Sequence, residues 1–253
     1  MRRLTLTSIA ALAMGVAAFS VPPSMAEGTN KAEVEKIIKD YLLANPEILV
    51  EVQDALTAKR EKEDKVARDK TISESGADIF AASADSIIGN PKGDVTIVEF
   101  FDYNCGYCKR ALSDMDAMVK TDANLKFVLK EYPILGEDSL KAHVVAQSFR
   151  KLMPDKYAAF HRQLLGSEAR ADESRAIEVA LSLGADEAAL RKGMTSPEIS
   201  ALFDLNHALA TKLNITGTPS YVIKDDVVFG AMGAAVLSGK IANVRKCQST
   251  VCS

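Results

Sequence analysis

The chain has 253 residues, a formal net charge of −3, and four cysteines. The mildly acidic balance argues against nucleic acid or an anionic membrane surface as partner. Four cysteines in so long a chain exclude a disulfide-stapled miniprotein, so a hydrophobic core must carry most of the stability.

The chain opens with Met1-Arg2-Arg3, a short positive region. An apolar stretch from Leu4 to Val21 follows, then Pro22-Pro23 and Ser24-Met25-Ala26. That order predicts a secretory signal in residues 1–26, cleaved after Ala26. The competing reading is a membrane anchor. Against it stand Thr5, Thr7 and Ser8 within the stretch and the absence of a basic cluster directly behind it. Cleavage removes two basic residues and takes the net charge from −3 to −5. The remaining residues suit one domain with an appendage or a large insertion.

Residues 27–75 differ from the rest. Val34, Ile37, Ile38, Tyr41 and Leu42 have helical spacing, and Asn45-Pro46 interrupts it. Asn is a good N-cap and Pro fits a first helical position, so a second helix is expected there, with Ile48, Leu49, Val52 and Leu56 on its apolar side. From Ala58 to Lys70 charges alternate and the apolar face fades, the pattern of a solvated helix or a linker. These short helices lack a core of their own. Their apolar faces either pack on the main domain or on copies of themselves.

From Val95 the character changes. "VTIVEFF" and "LKFVLKEYP" (Leu125 to Pro133) read as buried strands, and Cys105 to Lys120 between them has helical spacing. Strand, helix, strand predicts a βαβ unit with parallel strands. Residues 138–213 are then almost wholly helical. Asp138 is expected to cap one helix, Pro154 to break the chain, Asp172 to cap a helix ending at Gly184, and Ser196-Pro197 to start the last. Strand signals return at "SYVI" (220–223) and "VVFG" (227–230), with Lys224 to Asp226 as the turn. A final helix is expected over about 234–246. The whole is an α/β domain split by a helical insertion.

"DYNCGYCKR" carries the chemistry. A zinc site needs two further ligands at similar spacing, but Cys247 and Cys252 lie far along the chain, and His143, His161 and His207 are scattered over helices. These histidines read as packing or surface residues, His161 alone bordering the site. A structural disulfide remains compatible with the spacing. Position favours redox chemistry instead: Cys105 falls where a helix starts, and the free N–H groups and macrodipole there favour a thiolate. Cys108, one turn in, is the partner thiol. Glu99 inside an apolar strand is costly unless protonated or used for proton transfer with Cys108, although strand alternation alone allows it to face solvent. Pro219 heads a strand, a place that fits either a cis bond or an ordinary loop proline. Cys247 and Cys252 bracket "QSTV", and a local disulfide there would stabilise by at most roughly 2 kcal/mol.

"VEFFDYNCGYC", the helical insertion and "GTPSYVI" together resemble the DsbA-like group of thioredoxin-fold proteins of the bacterial periplasm, over about residues 85–247. The resemblance implies a periplasmic location, Cys105 as the exposed nucleophile, Cys108 as its buried partner and Glu99 as the acid beneath them. It also implies that Thr218-Pro219 is a cis-proline loop facing the cysteines, where the Thr218 backbone pairs with substrate peptide. Gly106-Tyr107 between the cysteines and Thr218 before the proline are similar to the DsbC-like isomerases rather than to the strong oxidases. The N-terminal helices resemble the oligomerisation segment of ScsC-like isomerases.

The expectation is therefore a thioredoxin fold with a helical insertion over 138–213, behind an N-terminal helical segment, with residues 76–253 as the catalytic domain. It isomerises or reduces disulfides in exported proteins without a cofactor, is kept reduced by a membrane redox partner, and forms a homo-oligomer, a trimer rather than a dimer by resemblance. A DsbA-like oxidase, and a chaperone or binding protein with incidental cysteines, are the alternatives.

Overall fold

The computed structural model describes residues 30–81 and 86–252. The signal-peptide reading of residues 1–26 lies outside the described residues. The chain forms two compact units that divide between Leu56 and Thr57.

The first unit holds helix α1 (Lys31–Ala44) and the opening turns of α2 (Glu47–Phe80). Asn30 caps α1, its Oδ1 accepting from the Ala32 N–H at 3.2 Å. Asn45 closes it through backbone and side-chain bonds to the Tyr41 carbonyl. Ile37, Ile38, Tyr41, Leu43, Leu49, Val50 and Val52 are all more than half exposed. The charged stretch 58–70 is helix throughout, laced by pairs such as Lys65–Asp69 four residues apart.

The second unit is built on a five-stranded sheet in the order β1-β3-β2-β4-β5, from β1 (Ile87–Gly89), β2 (Val95–Phe101), β3 (Leu125–Glu131), β4 (Ser220–Ile223) and β5 (Asp226–Phe229). Only β2 and β3 run parallel, joined by the crossover helix α3 (Gly106–Thr121). The alternation of β2 sorts its side chains onto two cores. Ile97 and Phe101 face one that holds α3 and the inserted helices. Val98 and Phe100 face the other, closed by Ile72 and Ile79 of α2 and by Leu209, Ala210 and Leu213. Cover on both faces is why β2 and β3 read as near-continuous apolar runs.

Between β3 and β4 lie α4 (Glu137–Leu152), α5 (Tyr157–Leu165), α6 (Glu173–Ser182), α7 (Glu187–Met194) and α8 (Pro197–Lys212). The final helix α9 (Ala234–Cys247) follows β5. Asp172 caps α6 as expected, accepting from the Arg175 N–H at 2.8 Å.

Several expectations need correction. Asp138 does not cap α4. Gly136 takes the cap position at φ +102°, and Asp138 in the first turn instead accepts from Arg170. The helical insertion contains a separate α7, capped by Asp186 onto the Ala189 N–H. The edge strand β1 has no counterpart in the sequence reading, being only three residues long. Its Gly89, at φ +96°, stands where a Cβ would lie 2.5 Å from the Leu125 carbonyl oxygen. The strand read to Pro133 ends at Glu131. The boundary placed at residue 75 falls inside α2, whose Asp64 and Thr71 already bond to Asn214 and to the Lys212 carbonyl.

Candidate functional site

The parallel β2 ends at Phe101, and the chain turns through residues 102–105 into α3. Cys105 occupies the N-cap position of that helix with extended backbone, and Cys108 lies one turn in. Both are free thiols. Cys108 is fully buried, while Cys105 is 7% exposed. The expected exposed nucleophile is therefore mostly covered. The loop before β4 lies over it: the Cys105 sulfur is 3.0 Å from the Thr218 carbonyl oxygen. Gly106 and Tyr107 between the cysteines are both exposed, and the Arg110 guanidinium stacks 4.3 Å from the Tyr107 ring centroid.

The Thr218-Pro219 peptide bond is cis. Thr218 stands directly against Cys105 although more than a hundred residues separate them in sequence. The Pro219 carbonyl accepts from Gly230 N–H at 2.9 Å, which extends the β4–β5 pairing into this loop.

Glu99 lies on the α3 side of β2 and is 3% exposed, not turned to solvent. Burial, and then the negative charge on Cys105, push its carboxyl up to about 8. Tyr221 lies opposite Glu99 in the β2–β4 register, its hydroxyl pushed well above the usual range by burial.

The two thiols are driven apart. A hydrogen bond from the Cys108 thiol to the Cys105 sulfur holds Cys105 down to about 5, helped by the Thr218 side chain and by the backbone N–H groups of Cys108 and Tyr107. Burial, that same hydrogen bond and the Glu99 carboxylate push the Cys108 thiol far up. At neutral pH the site therefore presents one thiolate and one thiol. A thiolate of this kind can attack a disulfide sulfur, and the neighbouring thiol can then displace it.

Of the other singled-out residues, Cys247 and Cys252 are joined in a disulfide after α9. His143 and His161 are fully buried and lie against Phe101 and Tyr103. Burial lowers His161 to about 3, so it packs as a neutral ring. Among the described residues no cluster of side chains fits a metal ion, and no helix is long and apolar enough to cross a membrane. Sequence reasoning passed over Asp102 and Asn104, whose side chains fasten the turn that carries Cys105. Their only signal was two polar side chains set among aromatics in "FFDYNC".

A β2–α3–β3 crossover with a dithiol at the start of its helix, flanked by an antiparallel hairpin, places the chain among thioredoxin-fold thiol-disulfide oxidoreductases with a helical insertion. More narrowly, it belongs to the DSBA-like thioredoxin domain family, whose model matches residues 96–242. Residues 30–63 match a second model, the copper resistance protein ScsC N-terminal domain. Among curated proteins, disulfide bond formation protein D of Bacillus subtilis is 24% identical over 152 residues, which cover 56% of this chain and 68% of that protein. Among solved structures, a thioredoxin-like oxidoreductase from Silicibacter pomeroyi is 39% identical with a TM-score of 0.64, covering 68% of this chain and 98% of its own. The thiol-disulfide exchange protein alpha-DsbA2 from Wolbachia pipientis is 27% identical with a TM-score of 0.66, covering 72% and 98%. ScsC of Proteus mirabilis, in a transitional conformation, is 27% identical with a TM-score of 0.60, covering 85% and 94%.

Proposed function

We propose that this thiol-disulfide oxidoreductase acts in the periplasm, after signal cleavage, to isomerise or reduce disulfides in exported proteins. Cys105 is the nucleophile, Cys108 the resolving thiol, Glu99 its proton acceptor, and Gly106, Tyr107, Thr218 and Pro219 the surface that receives substrate. The observation that carries the reading is the asymmetry of the two thiols.

The Cys105 thiolate attacks one sulfur of a substrate disulfide. The substrate S–S bond breaks, a Cys105–substrate bond forms, and the other substrate sulfur leaves as a thiolate. Because Cys108 stays protonated, its own attack is slow and the mixed disulfide persists. A second substrate thiolate then attacks the Cys105-bound substrate sulfur. A new substrate disulfide forms, Cys105 is released, and no net electrons move. When no such thiolate arrives, Cys108 passes its proton to the ionised fraction of Glu99, which grows as pH approaches about 8, and attacks Cys105. The substrate leaves reduced by two electrons, and the enzyme holds a Cys105–Cys108 disulfide. A membrane redox partner supplying two electrons restores the dithiol.

A disulfide oxidase is the second reading, and one observation favours it. A thiolate as acidic as Cys105 stabilises the reduced protein and makes the disulfide form more oxidising. The sequence between the cysteines, without the histidine of the strong oxidases, and the match of residues 30–63 to the ScsC N-terminal domain support isomerisation. Thiol trapping of Cys105 and Cys108 in cells separates the two. A mostly reduced pair supports the isomerase, and a mostly oxidised pair overturns it in favour of the oxidase.

A further inference from the structure

The turn between β2 and α3 is held by an unusual density of side-chain bonds. Asp102 is fully buried, and its carboxylate accepts four hydrogen bonds. Oδ1 accepts from Asn104 N–H at 2.8 Å and from Ser139 Oγ at 2.7 Å. Oδ2 accepts from the backbone N–H groups of Ile134 at 2.9 Å and Leu135 at 3.0 Å. These four fill the acceptor capacity of a carboxylate. The Asp102 carbonyl in turn accepts from Cys105 N–H at 3.0 Å.

Asn104 continues the fastening toward the helical insertion. Its Oδ1 accepts from Ala171 N–H at 2.8 Å, and its Nδ2 donates to the Ala171 carbonyl at 2.8 Å and to Ser139 Oγ at 2.9 Å. Through Asp102 and Asn104 the turn is thus pinned at once to the loop after β3, the first turn of α4 and the loop before α6. So many charge-assisted bonds exceed what a tight turn needs to satisfy its own backbone.

We propose that Asp102 and Asn104 are positioning residues for thiol-disulfide exchange, which hold the Cys105 sulfur over the first-turn N–H groups of α3 and against the Thr218 loop. Neither touches the sulfur. They act through the backbone of residues 102–105, and the inference rests only on Cys105 being the reacting thiol. The stabilisation of a thiolate by hydrogen bonds falls steeply with distance and angle, so a small displacement of Cys105 weakens it.

The sign of the effect separates positioning from simple electrostatics. Removing the negative charge of Asp102 would, by Coulomb's law, make a nearby thiol more acidic. Loss of position makes it less acidic. The other titratable groups facing Cys105 are Cys108, Glu99 and Tyr221, all left in place by the test.

The test measures the pH midpoint of Cys105 alkylation by iodoacetamide in the full chain, and the dithiol–disulfide equilibrium against glutathione. For Asp102→Asn the midpoint should rise by about one unit, with roughly a tenfold shift of the equilibrium toward the disulfide. For Asn104→Ala the rise should have the same sign and be smaller. Ile79→Ala, which weakens the fold on the opposite face of the sheet, should leave the midpoint unchanged. A folded variant whose midpoint stays or falls overturns the proposal, and so does a midpoint that moves equally in Ile79→Ala. If Asp102→Asn does not fold, Asn104→Ala and Ser139→Ala decide by the same criteria. No disulfide substrate enters the alkylation measurement, so its outcome stands apart from the choice between isomerase and oxidase.

Discussion

At the residue scale, the proposed function turns on two cysteines only three positions apart that differ in acidity because they differ in surroundings. Cys105 sits at a helix terminus among donors, and Cys108 sits in the core beside a carboxyl. Cys105→Ser should abolish disulfide exchange, whereas Cys108→Ser should accumulate mixed disulfides with substrate, seen as adducts on non-reducing gels. Full exchange activity in Cys105→Ser would sink the assignment. Glu99 adds a pH dependence whose sign follows from its raised carboxyl. Its stabilising balance is complete below the ordinary carboxylate value of 4.5 and is lost as pH rises toward about 8, where the buried group finally ionises. Cys105 works in the opposite sense. Its depressed value makes the reduced protein gain stability as pH rises from about 5 to the ordinary thiol value of 9.0. Glu99→Gln should therefore stabilise the protein at pH 7 by roughly 3 kcal/mol, and much less at pH 4.5. Denaturant unfolding at both pH values checks this. The same change should slow release of the mixed disulfide, because Cys108 loses its proton acceptor.

At the element scale, the elements nearest the chemistry were legible and the peripheral ones were not. β2, α3 and β3 declare themselves because a strand covered on both faces must be apolar throughout, while the helix crossing over it needs apolar residues at every third or fourth position. β1 hid because three residues carry no periodicity. α7 hid because eight residues inside a helical stretch differ from their neighbours only by the cap Asp186. The end of α2 is the informative surprise. Its charged middle reads as solvated, yet Ile72 and Ile79 beyond it close the second core against Val98, Phe100 and Leu213. Ile79 is fully buried, so Ile79→Ala should cost about 2–4 kcal/mol of stability, measured by denaturant unfolding, without change in exchange activity. A cost under half a kcal/mol would show that this helix end is not part of the core.

At the scale of the whole molecule, the chain divides between Leu56 and Thr57, and the first unit leaves seven large apolar side chains more than half exposed. Exposed apolar surface of this extent marks an interaction site. A homo-oligomer assembled through residues 30–56 is the expected consequence. Several catalytic domains on one assembly raise the local concentration of thiolate around a captured substrate. Removing residues 27–56 should leave a folded monomer that still reduces small disulfides but loses isomerase activity on a scrambled protein. Light scattering on the mature and shortened chains decides it: a mature chain that is already monomeric refutes the assembly.

The sequence by itself determined the fold class, the order of the central strands and helix, the cysteine pair and the proline loop. Each is written in local patterns: an apolar run, a helical period, a dithiol at a helix start, a proline heading a strand. Only the tertiary structure decided what surrounds them. It brought Thr218 to the Cys105 sulfur across more than a hundred residues, turned Glu99 inward beneath Cys108, and covered Cys105 more than a helix-terminal position implies. It also recruited Asp102, Asn104, Ser139 and Ala171, from three separate segments, into one fastening of the active turn. Periodicity records which face a side chain takes, but the partner it meets there depends on long-range contacts that no local window contains.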